Sequence, residues 1–436
     1  MAADIRRLTL ELLRSYEEEG RFVNLLLSSP KLAALTDEER RAVTALLYTA
    51  VENKLRYDYL ICKLSGRGMD SVDPFVRDVL RLGLCQILDM SSVPDFAAVN
   101  ETVKLARHKG ERSFVNAVLR AAVKVKDAPP YPSREKNEAR YLSVRYSIPL
   151  ATVKLLSRIA KDETESLLAA FSQVSPLSVT VNTRRVSRDE LLLRFAALGV
   201  ARSRYSENGI DFNKSIAPTS LEGFDTGDFF VQDEASRIEA MALGARDGDT
   251  VVDVCAAPGG KTLAAAIAVG DGGRVYSFDL HASKLSLIEG SAKRLGLSNI
   301  TVAERDATEP DESLFGMADR VICDVPCSGL GALGKKPDLR YRDITAAREL
   351  TSLQTEILAK SASYLKTGGI LVYSTCTLNP AENEEIVSAF LDEHKNFALE
   401  KFSPDGSDGD GVGITLMPHK HGTDGFYIAK LRKIND

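Results

Sequence analysis

Two cysteines and one aspartate sit where their chemistry can be used. Asp324-Val-Pro-Cys-Ser-Gly-Leu-Gly331 puts a thiol three residues beyond a carboxylate, and Tyr373-Ser-Thr-Cys-Thr-Leu-Asn-Pro380 puts a second thiol at the end of a later apolar run. A lone cysteine is ordinarily a small buried apolar residue, and Cys62, Cys85 and Cys323 keep that reading. Cys327 and Cys376 differ, because each stands beside Ser or Thr where a predicted strand ends. A thiolate in such a place is a nucleophile, provided that a helix N-terminus, a basic neighbour or a bound cation lowers its pKa from about 8.5.

A second stretch points to what such a nucleophile would work with. Val251-Val-Asp-Val-Cys-Ala-Ala-Pro-Gly-Gly-Lys-Thr262 reads as strand, tight turn and helix start, which brings unpaired backbone amides against a ligand. A phosphate-cradling loop of the form G-x-x-x-x-G-K-[ST] would need glycine at 255, where the chain has Cys255. The dinucleotide pattern G-x-G-x-x-G fails as well, because the glycines of the turn are adjacent. A third possibility is the first loop of a Rossmann-like methyltransferase, wrapped around the methionine end of S-adenosylmethionine, and the rest of the chain must decide. Ligands of open parallel sheets bind at the carboxyl ends of the strands. There the next predicted strands end at Asp279, Asp306 and Asp324. One aspartate after a strand is usually a cap or turn residue, but a row of polar strand ends in one register is harder to explain that way.

Carboxylate, thiol and adenosyl cofactor together fit one reaction well. Carbon 5 of cytosine is a poor nucleophile until a thiolate adds to carbon 6. The electrons then sit at carbon 5, which can attack a methyl-sulfonium, and an acidic group at N3 or N4 stabilises the adduct. Spacing alone does not say which of the two thiols attacks. A phosphate-loop hydrolase would use Asp324 for magnesium and leave both thiols without a task.

The elements that must position these residues follow from periodicity. From residue 250 onward strands and helices alternate, which implies a parallel sheet covered by helices. The strands are expected at Val251–Cys255, Arg274–Asp279, Ile300–Arg305, Arg320–Val325 and Gly369–Thr375, with an antiparallel pair at Gly413–Met417 and Gly425–Leu431. Residues 1–126 read as helices throughout, with faces such as Leu10, Leu12, Leu13 and Val43, Leu46, Leu47, Val51. Asp73-Pro74 supplies an N-cap and a first-turn proline. Asp127-Ala-Pro-Pro-Tyr-Pro132 is expected to be an extended linker. Beyond it come a helical stretch over 139–172 and a small α/β module, with strands at Leu177–Thr183 and Phe229–Asp233 and a helix at Arg188–Leu198. The expected division is therefore 1–130, 131–235 and 236–436. Pro404–Gly411 reads as a surface loop and not as a calcium loop, since no glutamate closes it at the required spacing.

Composition narrows the class. The chain has 436 residues, 44% of them hydrophobic, enough for two or three cores. It offers no apolar run long enough to cross a bilayer and begins on a charged amphipathic stretch, so a cytoplasmic location is the expectation. Six cysteines with no C-x-x-C spacing argue against a disulfide framework or structural zinc, and no metal site is expected. The net charge of −5 is unevenly spread. Residues 1–220 carry 34 Lys and Arg against 27 Asp and Glu, while residues 221–436 carry 22 against 34. Either the first half meets a polyanion or these are ordinary solvated helices. Within it, residues 101–126 hold seven basic residues against two acidic ones.

Ala98-Val-Asn-Glu-Thr-Val-Lys-Leu-Ala-Arg107 and Phe114-Val-Asn-Ala-Val-Leu-Arg120 resemble the last helices of the NusB family of RNA-binding proteins. Gln232-Asp-Glu-Ala-Ser236, Cys255–Lys261, Asp324-Val-Pro-Cys327, Ser374-Thr-Cys376 and Gly422-Thr-Asp-Gly-Phe-Tyr427, in that order, resemble the motifs of RNA cytosine-C5 methyltransferases of the NOP2/Sun type. Val325 and Tyr427 are mild departures from the pattern. The resemblance implies an all-α NusB-like bundle, a small α/β module and a Rossmann-like α/β methyltransferase domain with a mostly parallel seven-stranded sheet. It implies S-adenosylmethionine as cofactor. Cys376 would be the nucleophile, Cys327 would assist product release and Asp324 would hold the cytosine edge. Cys255, Ala256, Ala257, Pro258, Gly259, Gly260 and Lys261 would line the methionine end of the cofactor, Asp279 its ribose and Asp306 its adenine, and Asp324 would bind the cofactor as well. The implied partner is small-subunit ribosomal RNA, naked or partly assembled, met by a monomer with no membrane involved. A base inside a stacked helix is out of reach, so the target must be unpaired or flipped. The small α/β module with Arg184 and Arg185 reads equally as an RNA platform or as a plain structural spacer, and Lys335, Lys336, Arg340 and Arg342 are expected to grip phosphates near the site.

Overall fold

Continuous apolar runs ending in polar residues become the strands of a parallel sheet, and periodic apolar faces become a helical bundle. Both are seen in a computed structural model that describes residues 4–435 except 174–175, 215, 343, 345–346 and 406–410. The surface loop expected at Pro404–Gly411 lies partly outside the described residues. The chain forms two compact units, one of residues 1–172 with 336–342 and one of residues 173–335 with 343–436.

The first unit is helical: α1 (Ile5–Glu19), α2 (Val23–Leu27), α3 (Asp37–Glu52), α4 (Lys54–Ser65), α5 (Pro74–Asp89), α6 (Asp95–Leu105), α7 (Lys109–Val125), α8 (Glu138–Arg145), α9 (Leu150–Ala160) and α10 (Thr164–Ala170). The Asp73 carboxylate caps α5, accepting from the Phe75 and Val76 amides, with Pro74 in the first turn. A reciprocal Thr36–Glu39 capping box starts α3. Helix α5 is central, burying Val76, Val79, Leu80, Leu82 and Leu84 against α3, α6 and α7. The proline-rich segment 127–132 is the irregular connection between α7 and α8. The short segment 336–342 packs with these helices, and Arg340 is buried. Its guanidinium donates to the Glu52 carboxylate at 2.8 Å and to the Phe171 carbonyl at 2.9 Å. Arg340 therefore holds helices together and is not available to phosphates, contrary to the expectation above.

In the second unit, β1 (Ser178–Val181), α11 (Arg188–Arg194), β2 (Val200–Arg202), β3 (Gly209–Phe212) and β4 (Phe229–Val231) form an antiparallel sheet, order β2-β3-β1-β4, with one helix. The remainder alternates helix and strand: α12 (Glu234–Leu243), β5 (Thr250–Asp253), α13 (Gly260–Ala268), β6 (Arg274–Asp279), α14 (Ala282–Leu295), β7 (Ile300–Glu304), β8 (Ala318–Asp324), α15 (Ala347–Ala362), β9 (Leu365–Thr375), α16 (Glu384–Glu393), β10 (Phe397–Leu399), β11 (Ile414–Leu416), α17 (Pro418–His421) and β12 (Phe426–Lys433). Seven strands run in the order β10-β12-β9-β8-β5-β6-β7, and β11 pairs with β12 off this path. Strands β5 to β9 pair in parallel and β12 runs antiparallel to β9. The expected Rossmann-like sheet is present, with β11 as an eighth strand. Burial on both faces explains the continuous apolar stretch Ile370–Tyr373 within β9.

Candidate active site

Because β5, β6, β7, β8 and β9 are parallel neighbours, their carboxyl ends share one edge of the sheet, and the sequence has placed its polar residues there. Asp324, the last residue of β8, is in register with Ser374 of β9. The Ser374 hydroxyl donates to Asp324 Oδ1 at 3.1 Å. Each thiol lies just past this pair, on the loop that leaves its strand. Cys327 Sγ and Cys376 Sγ approach to 3.2 Å, though 49 residues separate them in the chain. The hydrogen bond with Cys376, burial, and the charges of Asp324 and Glu382 hold the Cys327 thiol well above its ordinary pKa.

The loop carrying Cys327 is fixed by a close backbone approach. The Gly331 amide donates to the Cys376 carbonyl at 2.9 Å, and the Gly425 amide donates to the Gly331 carbonyl at 2.9 Å. A Cβ at Gly331 would lie 1.8 Å from the Gly425 carbonyl oxygen, so only glycine fits. Three separated motifs meet there through their main chains.

The predicted cofactor loop follows β5. The Ala257–Pro258 peptide is cis, and Gly259 adopts φ +107° immediately before α13. The Ala256 amide donates to the Phe278 carbonyl at 2.8 Å, and the Ala257 amide donates to Asp279 Oδ2 at 3.1 Å. Asp279 Oδ1 accepts from the His281 amide at 3.0 Å. The loop after β5 is thus tied at Ala256 and Ala257 to the end of β6. Asp306, two residues past β7, accepts from the Thr308 amide and hydroxyl at 2.9 and 2.7 Å, which lowers its pKa. Burial pushes the Cys255 thiol well above its ordinary value.

Lys261 does more than line a loop. Its ammonium pairs with Asp324 and lies 3.2 Å from Glu239, a carboxylate of α12 that is 1% exposed. Burial works against its charge, but Asp324 and Glu239 outweigh it and keep Lys261 protonated above the usual range. Burial raises Glu239, and Lys261 opposes that rise. Asp253, at the end of β5, is raised by burial to about 7 although the Thr262 hydroxyl donates to it at 2.7 Å. Sequence reading passed over Glu239 and Asp253, which look like ordinary helix and strand-end carboxylates.

Two further residues tie the motifs together. Gln232 accepts from the Thr180 hydroxyl at 2.8 Å and donates to the Gly260 carbonyl at 3.2 Å, linking the small sheet to the cofactor loop. Lys335 pairs with Asp233 and with Asp424 at 2.9 Å, so this expected phosphate contact spends its charge within the protein. Lys336 and Arg342 are exposed, while Arg340 is buried as described. Arg184 pairs with Asp271, and the Arg185 guanidinium donates to the Thr226 carbonyl. Among the described residues no group of three or more His, Cys, Asp or Glu could hold a metal ion.

The donor set suits S-adenosylmethionine. Backbone amides of the loop after β5 and the Asp279 carboxylate are tied together at the carboxyl edge of the sheet, and Leu280 beside Asp279 is exposed. A Rossmann-like sheet with this loop and these strand ends defines an S-adenosylmethionine-dependent methyltransferase. The comparisons with known proteins agree. The model of the 16S rRNA methyltransferase RsmB/F family matches residues 240–432, and the NusB family model matches residues 3–124. The probable ribosomal RNA small subunit methyltransferase B of Bacillus subtilis is 36% identical over 98% of both chains, and that of Synechocystis is 37% identical over 92% of both. The crystal structure of PH0851 aligns with a TM-score of 0.79 and 26% identity, covering 99% of this chain and 100% of that one. The chain belongs to the ribosomal RNA small subunit methyltransferase B family.

Proposed function

We propose that the protein methylates carbon 5 of a cytidine in small-subunit ribosomal RNA through a covalent Cys376 adduct. The observation that carries this reading is the 3.2 Å approach of two thiols beside Asp324 at the carboxyl edge of the sheet. Bound S-adenosylmethionine supplies an electrophilic methyl group. Cys255 to Lys261, Asp279 and Asp306 hold that cofactor, with Asp324 at the inner end of its site. The Cys376 thiolate forms a bond to carbon 6 of the base, and the ring electrons move to carbon 5. Asp324, oriented by Ser374 and Lys261, engages the N3–N4 edge of the cytosine. After methylation the carbon 5 proton is lost to a base, the electrons of that C–H bond re-form the ring double bond, and the C6–S bond breaks. The Cys327 S–H then stabilises the departing Cys376 thiolate across 3.2 Å, which is the release role.

The division of labour into helical, small α/β and catalytic modules serves substrate capture. The NusB-like helices would bind ribosomal RNA in a naked or partly assembled state, with the enzyme acting as a monomer in the cytoplasm. Among the described residues no helix is long and apolar enough to cross a membrane. The test is to incubate the protein with 16S ribosomal RNA and labelled S-adenosylmethionine, then digest the RNA to nucleosides. Label in 5-methylcytidine supports the reading; label in any other nucleoside, or none in RNA, overturns it.

A further inference from the structure

One buried carboxylate of the second unit stands beside both thiol loops and has no part in the reaction as written above. Glu382, in the Asn379-Pro-Ala-Glu382 turn after β9, has no exposed surface. Its Oε2 accepts from the Ser328 amide at 2.8 Å and from Gln354 Nε2 at 3.1 Å. Its Oε1 accepts from the Ser328 hydroxyl at 2.6 Å and from Asn379 Nδ2 at 2.9 Å. Four donors thus converge on the two oxygens of one carboxylate.

The donors come from both thiol loops. Ser328 follows Cys327 directly, and Asn379 lies three residues beyond Cys376. Thr377, the residue after Cys376, joins through its hydroxyl, 2.7 Å from the Ser328 hydroxyl. Gln354 of α15 closes the network by donating also to the Pro326 carbonyl at 2.8 Å. The arrangement is asymmetric: the carboxylate accepts the main-chain amide next to Cys327, but reaches the residue next to Cys376 only through Ser328.

We propose that Glu382 is a positioning residue that locks the Cys327 and Cys376 loops together and, by its buried charge beside Cys327, leaves Cys376 as the thiol of the pair that ionises. This rests on the assignment of Cys376 as nucleophile. Two thiols 3.2 Å apart share one negative charge favourably and a second only at high cost, so a fixed anion beside one of them decides where that charge resides. The Cys327 thiol is raised first by its hydrogen bond with Cys376 and by burial, and the charges of Asp324 and Glu382 add to that rise. A neutral Cys327 is also the form that can donate to the departing Cys376 sulfur.

The test compares the unaltered protein with Glu382→Gln, which keeps the size but removes the charge and turns one acceptor oxygen into a donor. Each protein is treated with limiting iodoacetamide at pH 8, and alkylation at Cys376 and Cys327 is measured by peptide mass spectrometry. Methyl transfer to 16S ribosomal RNA is followed in parallel. The expected result is preferential Cys376 alkylation in the unaltered protein and a ratio about tenfold lower in Glu382→Gln, one pKa unit of lost discrimination. The kcat should fall about 100-fold, the cost of a displaced reacting group, with KM for RNA and cofactor within about threefold. An unchanged alkylation ratio in a variant that still binds S-adenosylmethionine overturns the proposal. If Glu382→Gln does not fold, Ser328→Ala decides, since it removes only the hydroxyl bridge. It should lower kcat about tenfold at constant KM, and an unchanged kcat overturns the proposal. The nucleophile assignment fails separately, if Cys376→Ala still methylates RNA.

Discussion

At the scale of single residues, the site depends on carboxylates in different electrostatic settings. Asp324 is ion-paired to Lys261, Asp306 is stabilised by Thr308 donors, and Asp253 is buried. Asp253 gives a prediction with a definite sign. Its pKa is about 7 in the folded protein, against about 3.9 for an unfolded aspartate. The folded state thus holds the proton more tightly, so the contribution to stability is complete below pH ~4 and is lost as pH rises through ~7. Asp253→Asn removes that loss. The melting temperature of the variant relative to the unaltered protein should therefore rise between pH 5 and pH 8. A difference that stays constant over this range would mean that Asp253 does not titrate there.

The residue scale also shows where sequence stopped being informative. The two thiols, Asp324 and the glycine turn were legible because each ends an apolar strand. Lys261 looked like part of a loop, and its partners Glu239 and Asp324 are separated from it by 22 and 63 positions. Glu382 sits in a run, Pro380-Ala-Glu-Asn-Glu-Glu385, that any solvated helix start could show. Arg340 looked like exposed loop charge, because nothing local reveals that segment 336–342 packs among helices.

At the scale of elements, the parallel strands were readable from continuous apolar runs, and the helices from their 3.6-residue period. Strands β2, β3 and β10 were not read. They are three or four residues long, too short to display alternation, and are held by pairing with distant strands. The close approach of Gly331 to Gly425 is likewise a tertiary fact. Gly331→Ala puts a methyl group 1.8 Å from a backbone oxygen, and neither strand-anchored loop can yield cheaply. Overpacking of this kind costs about 1–3 kcal/mol. Chemical denaturation should show that loss, with methyl transfer reduced by more than the loss of folded protein accounts for, since the Cys327 loop moves. Full stability in Gly331→Ala would show that the loop accommodates the change.

At the scale of the whole molecule, the basic excess of the first half against the acidic second half makes the exposed cations of the first half the place to test for RNA phosphates. Lys109, Arg112, Arg120 and Lys124 of α7 are exposed. At about 100° per residue they fall within an arc of roughly 120°, one face of the helix. Phosphate neutralisation by n cations lowers log K with log[salt] at a slope of about −0.7n for single strands. Changing all four to glutamine should make the measured slope for 16S ribosomal RNA shallower by up to ~3, with unchanged cofactor affinity. An unaltered slope would mean that α7 is a solvated face and that RNA is gripped elsewhere.

Trapping of the covalent adduct decides whether Cys376 attacks the base and Cys327 resolves the adduct. Cys327→Ala, Cys376→Ala and the unaltered protein are each incubated with end-labelled 16S ribosomal RNA and S-adenosylmethionine, then separated under denaturing conditions. A stable protein–RNA conjugate is expected for Cys327→Ala, none for Cys376→Ala, and turnover without accumulation for the unaltered protein. A conjugate that persists in Cys376→Ala and disappears in Cys327→Ala would contradict this assignment, by placing the nucleophile on the other thiol.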